Sequence, residues 1–337
     1  MDSKLDIIDK SHITGYRFSR SWAQDQRLFY DILFSRPYID VVVEDNLKAG
    51  ESVRAAFIFD SVESNELEVH VGISAVDQKG ALQNRKHELD GRSFEDVLQI
   101  AKSTWEQQLN KIVVETYNEE DKFNFYTSLY HMMLAPNLYQ DVDGRYRGMD
   151  MKIHQDKETT YYTVFSLWDT YRAAHPLYTL IEQERTNDFI RTFISKYEEG
   201  GIMPIWDLAG NYTNTMIGYH AVPVIADAYQ KGIRDYDVAK AFEAMKHSAT
   251  RDDNGLDSYK KLGFIPVETE SESVSKTLEY AYDDWTIAMM AKELGNLDDY
   301  KTYLQRAQYY KNVFDPETNF MRGRFHNKWY SPLTLMK

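Results

Sequence analysis

The chain predicts a multidomain fold of α and β structure, strands first and helices after, and three observations carry that reading. Short apolar runs separated by polar breaks continue to about Ser74, the apolar period then lengthens to a helical one near Lys79, and after Glu119 helix-length segments alternate with loops holding most of the Trp, Gly and Pro. In order, Thr14–Phe18, Arg27–Phe34, Ile39–Glu44, Val53–Phe59 and Leu67–Ile73 read as strands, broken at Lys48–Gly50 and Glu63–Glu66. They make an antiparallel sheet, half of a β-sandwich occupying 1–77. From Lys79 to Lys111 the residues Phe94, Val97, Leu98, Ala101, Trp105 and Leu109 share one stripe, which makes 78–112 a helical linker. The remainder, 113–337, carries helices at Lys122–Leu134, Leu167–Ile181, Arg185–Lys196, Ile217–Lys231, Val238–His247, Ser273–Leu294 and Asp298–Val313. The Ser273–Leu294 helix is apolar nearly all round, so it belongs inside, and Thr269 with Glu272 predicts a capping box at its start.

Composition narrows the function classes. With 337 residues the chain has material for more than one core. Its 53 acidic and 39 basic residues leave a net charge of −14, which argues against nucleic acid or an anionic membrane as partner. The absence of cysteine rules out disulfides and thiolate metal sites. No apolar run approaches the ~18 residues of a membrane span. Met1–Asp6 lacks the basic start and apolar core of a signal peptide, so either the protein is cytoplasmic or its true N-terminus lies upstream. Aromatics at 14%, with 25 tyrosines, suit stacking on sugar faces and suit ordinary cores equally well.

The densest chemistry lies in Tyr162-Thr-Val-Phe-Ser-Leu-Trp168-Asp169-Thr-Tyr-Arg172-Ala-Ala-His175-Pro176, where an acid, a tryptophan and a base share one helical turn, a combination suited to sugar binding. The plainer reading makes Ser166 an N-cap, Asp169 the returning half of a capping box and Arg172 its partner. Glu279 and Asp283 tempt as a glycosidase pair, but residues four apart on a helix have Cβ atoms roughly 5–6 Å apart and point the same way. Inverting hydrolysis needs carboxyls about 6.5–9.5 Å apart on opposite sides of the bond. Glu279 and Asp283 are therefore expected to bond Lys276, tyrosines or loop amides, and Asp284, on another face, is expected to be structural as well. Asp143-Gly144 reads as a tight turn rather than a calcium loop, and His131, His175 and His220 as buried or bonded histidines rather than ligands. Phosphate loops, serine elbows and paired-histidine zinc motifs are missing from the sequence.

Six blocks in a fixed order carry a resemblance: Phe125–Pro136, Asp141–Gly148, Trp168–Arg172, Gly200–Trp206, Met216–His220 and Ser273–Trp285. Together they resemble the glycoside hydrolases of family 92, from about Ile13 to the last residue. That resemblance implies an incomplete (α/α)6 barrel after part of a β-sandwich, and a calcium-dependent, inverting exo-α-mannosidase acting on terminal α-linked mannose, with N-glycan processing as its setting. It implies that Trp168 and Asp169 contact the terminal mannose, Asp169 accepting hydrogen bonds from its hydroxyls. The family's acid and base segments, Glu-Gly-Asn-Ala-Trp-Gln and Gly-Asn-Asp-Asp, are absent here, as is its His-Gly-Asn-Glu-Pro segment. The catalytic carboxylates are accordingly expected beyond Lys337, no metal ligand is assigned in this chain, and Ca2+ is expected for the complete enzyme. Secretion or periplasmic export follows from the resemblance alone. Two other readings compete: a noncatalytic carbohydrate-binding remnant, and another helical-toroid glycosidase of the trehalase or glucoamylase kind.

Overall fold

A computed structural model describes residues 1–60 and 66–331, so the break read at Glu63–Glu66 lies largely outside the described residues. Strands β1 (Asp2–Ile7), β2 (His12–Ser19), β3 (Gln26–Phe34), β4 (Asp40–Val43), β5 (Ala49–Gly50), β6 (Ala55–Ile58) and β7 (Val69–Ser74) are all paired antiparallel. Five of them form one sheet in the order β5-β1-β2-β3-β7, while β4 and β6 pair separately. β1 escaped the sequence reading because its buried positions are Ser3 and Leu5, a polar and an apolar residue. Two helices, α1 (Gln78–Leu89) and α2 (Phe94–Leu109), replace the single helical stretch expected over Lys79–Lys111. Ser93 and Asp96 form a reciprocal capping box that restarts the helix after Gly91, which at φ +76° takes a left-handed turn. α1 packs on β3 and β7. From there Arg85 reaches Asp31 at 2.6 Å, a buried strand carboxylate that also faces His12 at 2.6 Å. After α3 (Glu119–Met132), Asp141–Gly144 makes the expected turn, with Gly144 N–H donating to the Asp141 carbonyl.

Two compact units divide the described chain: Met1–Val164 with Asp207–Thr213, and Phe165–Trp206 with Asn214–Lys337. The second is helical. It contains α4 (Leu167–Thr170), α5 (Ala174–Ile181), α6 (Gln183–Gly200), α7 (Ala221–Gln230), α8 (Val238–Thr250), α9 (Leu256–Leu262), α10 (Ser273–Glu293) and α11 (Leu297–Arg306). The continuous helix expected over Leu167–Ile181 is broken at Tyr171–Ala173. Pro176 explains the break, since it has no N–H to give the Arg172 carbonyl four residues back and its ring would strike that carbonyl. The helices pair in sequence as α5 with α6, α7 with α8 and α10 with α11, while α7 contacts both α5 and α10. The result is two layers, with α5, α7 and α10 in one and α6 beside α8 in the other. α10 has the inner position expected, burying Thr277, Tyr280, Ile287, Ala288 and Met290 among others. Its expected capping box does not form: Glu272 caps in a left-handed conformation without a side-chain bond, and Thr269 donates to the Pro266 carbonyl instead. Among the described residues no helix is long and apolar enough to cross a membrane.

Candidate functional site

On α10 the acids Glu279, Asp283 and Asp284 must find partners, because a buried carboxylate without them is costly. Asp283 and Asp284 are adjacent, so about 100° of helix rotation separates them and each meets different neighbours. Asp284, fully buried, accepts from Tyr219 Oη at 2.8 Å, Tyr259 Oη at 2.9 Å and Arg306 Nε at 2.8 Å. Burial pushes its carboxyl up to about 6 despite those three donors. Asp283, equally buried, accepts the Tyr219 N–H at 2.9 Å and faces His220 Nδ1 at 2.8 Å. Here too burial dominates, so its carboxyl lies above the ordinary range even with His220 beside it.

His220 stands at the entry to α7, 1% exposed, with Nε2 3.2 Å from Glu279 Oε2 but off the line of a hydrogen bond. Burial alone would drive its proton off. The charge and hydrogen bond of Asp283, joined by Glu279, reverse that and raise the imidazole to about 9. The site depends on Gly218: at φ +82° it is left-handed, and an added Cβ would lie 2.3–2.8 Å from the His220 ring. Glu279, at 16% exposed, sits one turn nearer the start of α10 and accepts from Tyr171 Oη at 3.3 Å and from Arg172 Nη2 at 3.1 Å. Burial works to raise its carboxyl, but His220 and Arg172 together hold it below the usual range. The Tyr171 ring stacks on His220 with centroids 4.2 Å apart and planes at 18°. Burial beside Glu279 pushes the Tyr171 hydroxyl well up, so it remains a donor.

Two sequence-predicted residues, Trp168 and Asp169, lie just upstream. The Arg172 guanidinium covers the Trp168 ring at 4.9 Å and the Tyr171 ring at 4.7 Å, and its Nε donates to the Trp168 carbonyl at 3.2 Å. The capping box read into Ser166 and Asp169 is not made: no side-chain bond caps α4, and the Ser166 hydroxyl donates to the Asp169 carboxylate. Ser166 in turn accepts the Trp206 indole N–H at 3.0 Å. A helix of one turn leaves the chain free to trade backbone capping for this side-chain bridge. Nor is Arg172 the partner of Asp169, since its carboxylate is that of Glu279. Asp169 is exposed, whereas Trp168 lines a cavity of about 400 Å³ with Ile205, Met216, Gly218, Asn254, Lys276 and Tyr280. The Trp168 indole N–H is buried and finds no acceptor among the described residues.

The acids find two of the three kinds of partner expected, tyrosine hydroxyls and a loop amide, but not Lys276, which bonds Glu270 at 2.7 Å. His220 was rightly read as buried and bonded, and its central place between two carboxylates was missed. The available signal was the pair Glu279 and Asp283 on one face of a buried helix, which demands a cation nearby. His175 is buried as expected, yet both ring nitrogens lack a partner among the described residues. Burial lowers it to about 3, so it packs as a neutral ring against Tyr178 and Phe189. Among the described residues no three His, Asp or Glu gather so as to hold a cation. The described residues thus offer no cluster of charged side-chain ligands for calcium.

Residues 80–336 match the glycosyl hydrolase family 92 catalytic domain, and the chain belongs to that family. A family 92 α-mannosidase of Bacteroides thetaiotaomicron, solved with mannoimidazole, is 39% identical with a TM-score of 0.95, covering 99% of this chain and 46% of its own. A family 92 inverting mannosidase of the same species is 29% identical with a TM-score of 0.88, covering 99% and 48%. An uncharacterized secreted glycosidase of Arthroderma benhamiae is 27% identical over 276 residues, 75% of this chain and 31% of that one. The chain thus spans about half the length of the solved relatives and about a third of the curated one. These matches support a glycosidase with mannosidase neighbours, and an antiparallel sheet followed by helices in the same manner.

Proposed function

We propose that this chain builds the sugar-binding wall of an inverting exo-α-mannosidase that removes terminal α-linked mannose from glycans. The observation that carries the reading is the Trp168 indole, which lines a cavity of about 400 Å³ and has a buried N–H that lacks an acceptor among the described residues. A buried donor without an acceptor calls for a ligand or water oxygen, and a ring face beside a free donor suits a pyranose, which offers C–H groups on one side and hydroxyls around its edge. Asp169 supplies the anionic acceptor for those hydroxyls. The solved relatives, one of them holding mannoimidazole, support mannose as the sugar.

Around this wall the two helix layers form part of an (α/α)6 barrel, following the sheet-bearing 1–77 and the 78–112 segment. The engagement of Glu279 and Asp283 with His220 and Arg172 supports a structural role for both over that of acid and base. In the complete enzyme, inversion would fall to carboxylates other than these, with calcium bound apart from them. Export and a role in N-glycan processing belong to the same proposal. The test titrates methyl α-mannoside and methyl α-glucoside into the chain and assays an aryl α-mannoside with calcium. Preferential mannoside binding with turnover at least ~10²-fold below a full-length relative is expected. Equal binding of both sugars would overturn mannose recognition, and full turnover would overturn the exclusion of this chain's carboxylates.

A further inference from the structure

Trp168 belongs to a helix of one turn, which by itself cannot hold a large ring still. A platform that wobbles loses affinity, because its side-chain entropy must be surrendered on binding. Something must fix it. The main-chain bond from Arg172 Nε to the Trp168 carbonyl fixes the turn, and the guanidinium lying 4.9 Å over the indole fixes the ring. Arg172 is itself 47% exposed and long, so it too needs an anchor. It has one in Glu279, whose other oxygen is held by Tyr171 and flanked by His220, which in turn is bound to the fully buried Asp283.

We propose that Arg172 is the positioning residue of the Trp168 platform, and that Glu279, backed by His220 and Asp283, anchors it to the body of α10. The proposal rests on the sugar-wall reading for its functional meaning, while its geometric content stands apart from it. A half-exposed ion pair adds little to stability. Arg172 therefore acts through geometry, and its replacement moves the platform more than the melting temperature. Lysine is no substitute, since it lacks the flat cation that covers an indole, and its single nitrogen cannot take the separate places of Nε on the Trp168 carbonyl and Nη2 on Glu279.

The experiment takes the near-ultraviolet circular dichroism of the chain and isolates the Trp168 signal as the difference from Trp168→Phe. Arg172→Lys and Glu279→Gln are then each compared with their own Trp168→Phe double variants. The expected result is that both lose most of the Trp168 signal while melting within a few degrees of the parent chain, and that combining them adds nothing further. Affinity for methyl α-mannoside should fall roughly tenfold in the same variants. A Trp168 signal intact in Arg172→Lys overturns the inference, as does a signal lost only together with the cooperative melt. A signal lost without any change in mannoside affinity, with Trp168→Phe equally silent, leaves the positioning in place and overturns the sugar-wall reading instead.

Discussion

The two ends of the acidic stretch on α10 have been built to different standards. At Asp284 every contact is closed: two tyrosine hydroxyls and Arg306 converge on one buried carboxylate, and Arg306 spends a further nitrogen on the Ala249 carbonyl at 2.8 Å. At Glu279 the Arg172 partner is 47% exposed, and the chain of contacts ends on an indole whose N–H has no acceptor among the described residues. A finished network holds helices together, and the unfinished one beside a cavity is where, on the proposed reading, a sugar completes it. Four perturbations sharpen or break this contrast.

The largest effect is expected at the closed end. Arg306→Met leaves Asp284 buried beside tyrosines alone, and removing one member of a buried pair costs about 3–5 kcal/mol. A urea midpoint should show that loss, and Asp284→Leu added to Arg306→Met should recover part of it. If the single variant melts like the parent, the closed network is not what binds α10 to α11 and α9.

Next comes Gly218→Ala. Left-handed backbone costs an alanine roughly 1–2 kcal/mol, and the clash with His220 adds to that. Both stability and the Tyr171–His220 stack should suffer, the latter visible as a shift of the His220 ring protons in NMR spectra.

The third perturbation is pH. His220 is raised from 6.5 to about 9 in the folded chain, so its contribution is fully present below 6.5 and is lost as pH rises through 9. Asp283 and Glu279 face it as carboxylates and Tyr171 as a neutral ring. Stability should therefore decline across that window, by a few kcal/mol at most. A flat profile from pH 6.5 to 9 contradicts a charged His220.

Asp169→Asn has the smallest expected effect on stability, about 1 kcal/mol from a weakened Ser166 bridge. Its effect on mannoside affinity should be far larger if Asp169 receives sugar hydroxyls. Measured together, an unchanged affinity removes Asp169 from the wall.

Much of this architecture can be read from residue order, and the rest depends on distance. The inner place of α10 follows from apolar residues all round its cylinder, and the long strands fall within a residue or two of their expected limits. The short α9, bounded by Gly255 and Gly263 in left-handed conformations, offers too few turns to show a period. The break before α5 is written in Pro176, but the amphipathic text on either side conceals it. The contacts of the site are harder still, since His220 and Asp283 stand 63 positions apart. Spacing within a helix told which residues share a face. It told nothing of what stands opposite.

The adjacency of Asp283 and Asp284 bears on how this chain tolerates changes of length. One residue inserted between Glu279 and Asp283 would turn everything beyond it by about 100°, presenting Asp283 where Asp284 should meet Arg306 and pulling Asp284 off both tyrosines. No single substitution would restore the two sets of partners. Insertions and deletions among relatives should therefore fall in the connections, such as 251–255 or 263–272, and avoid 279–284.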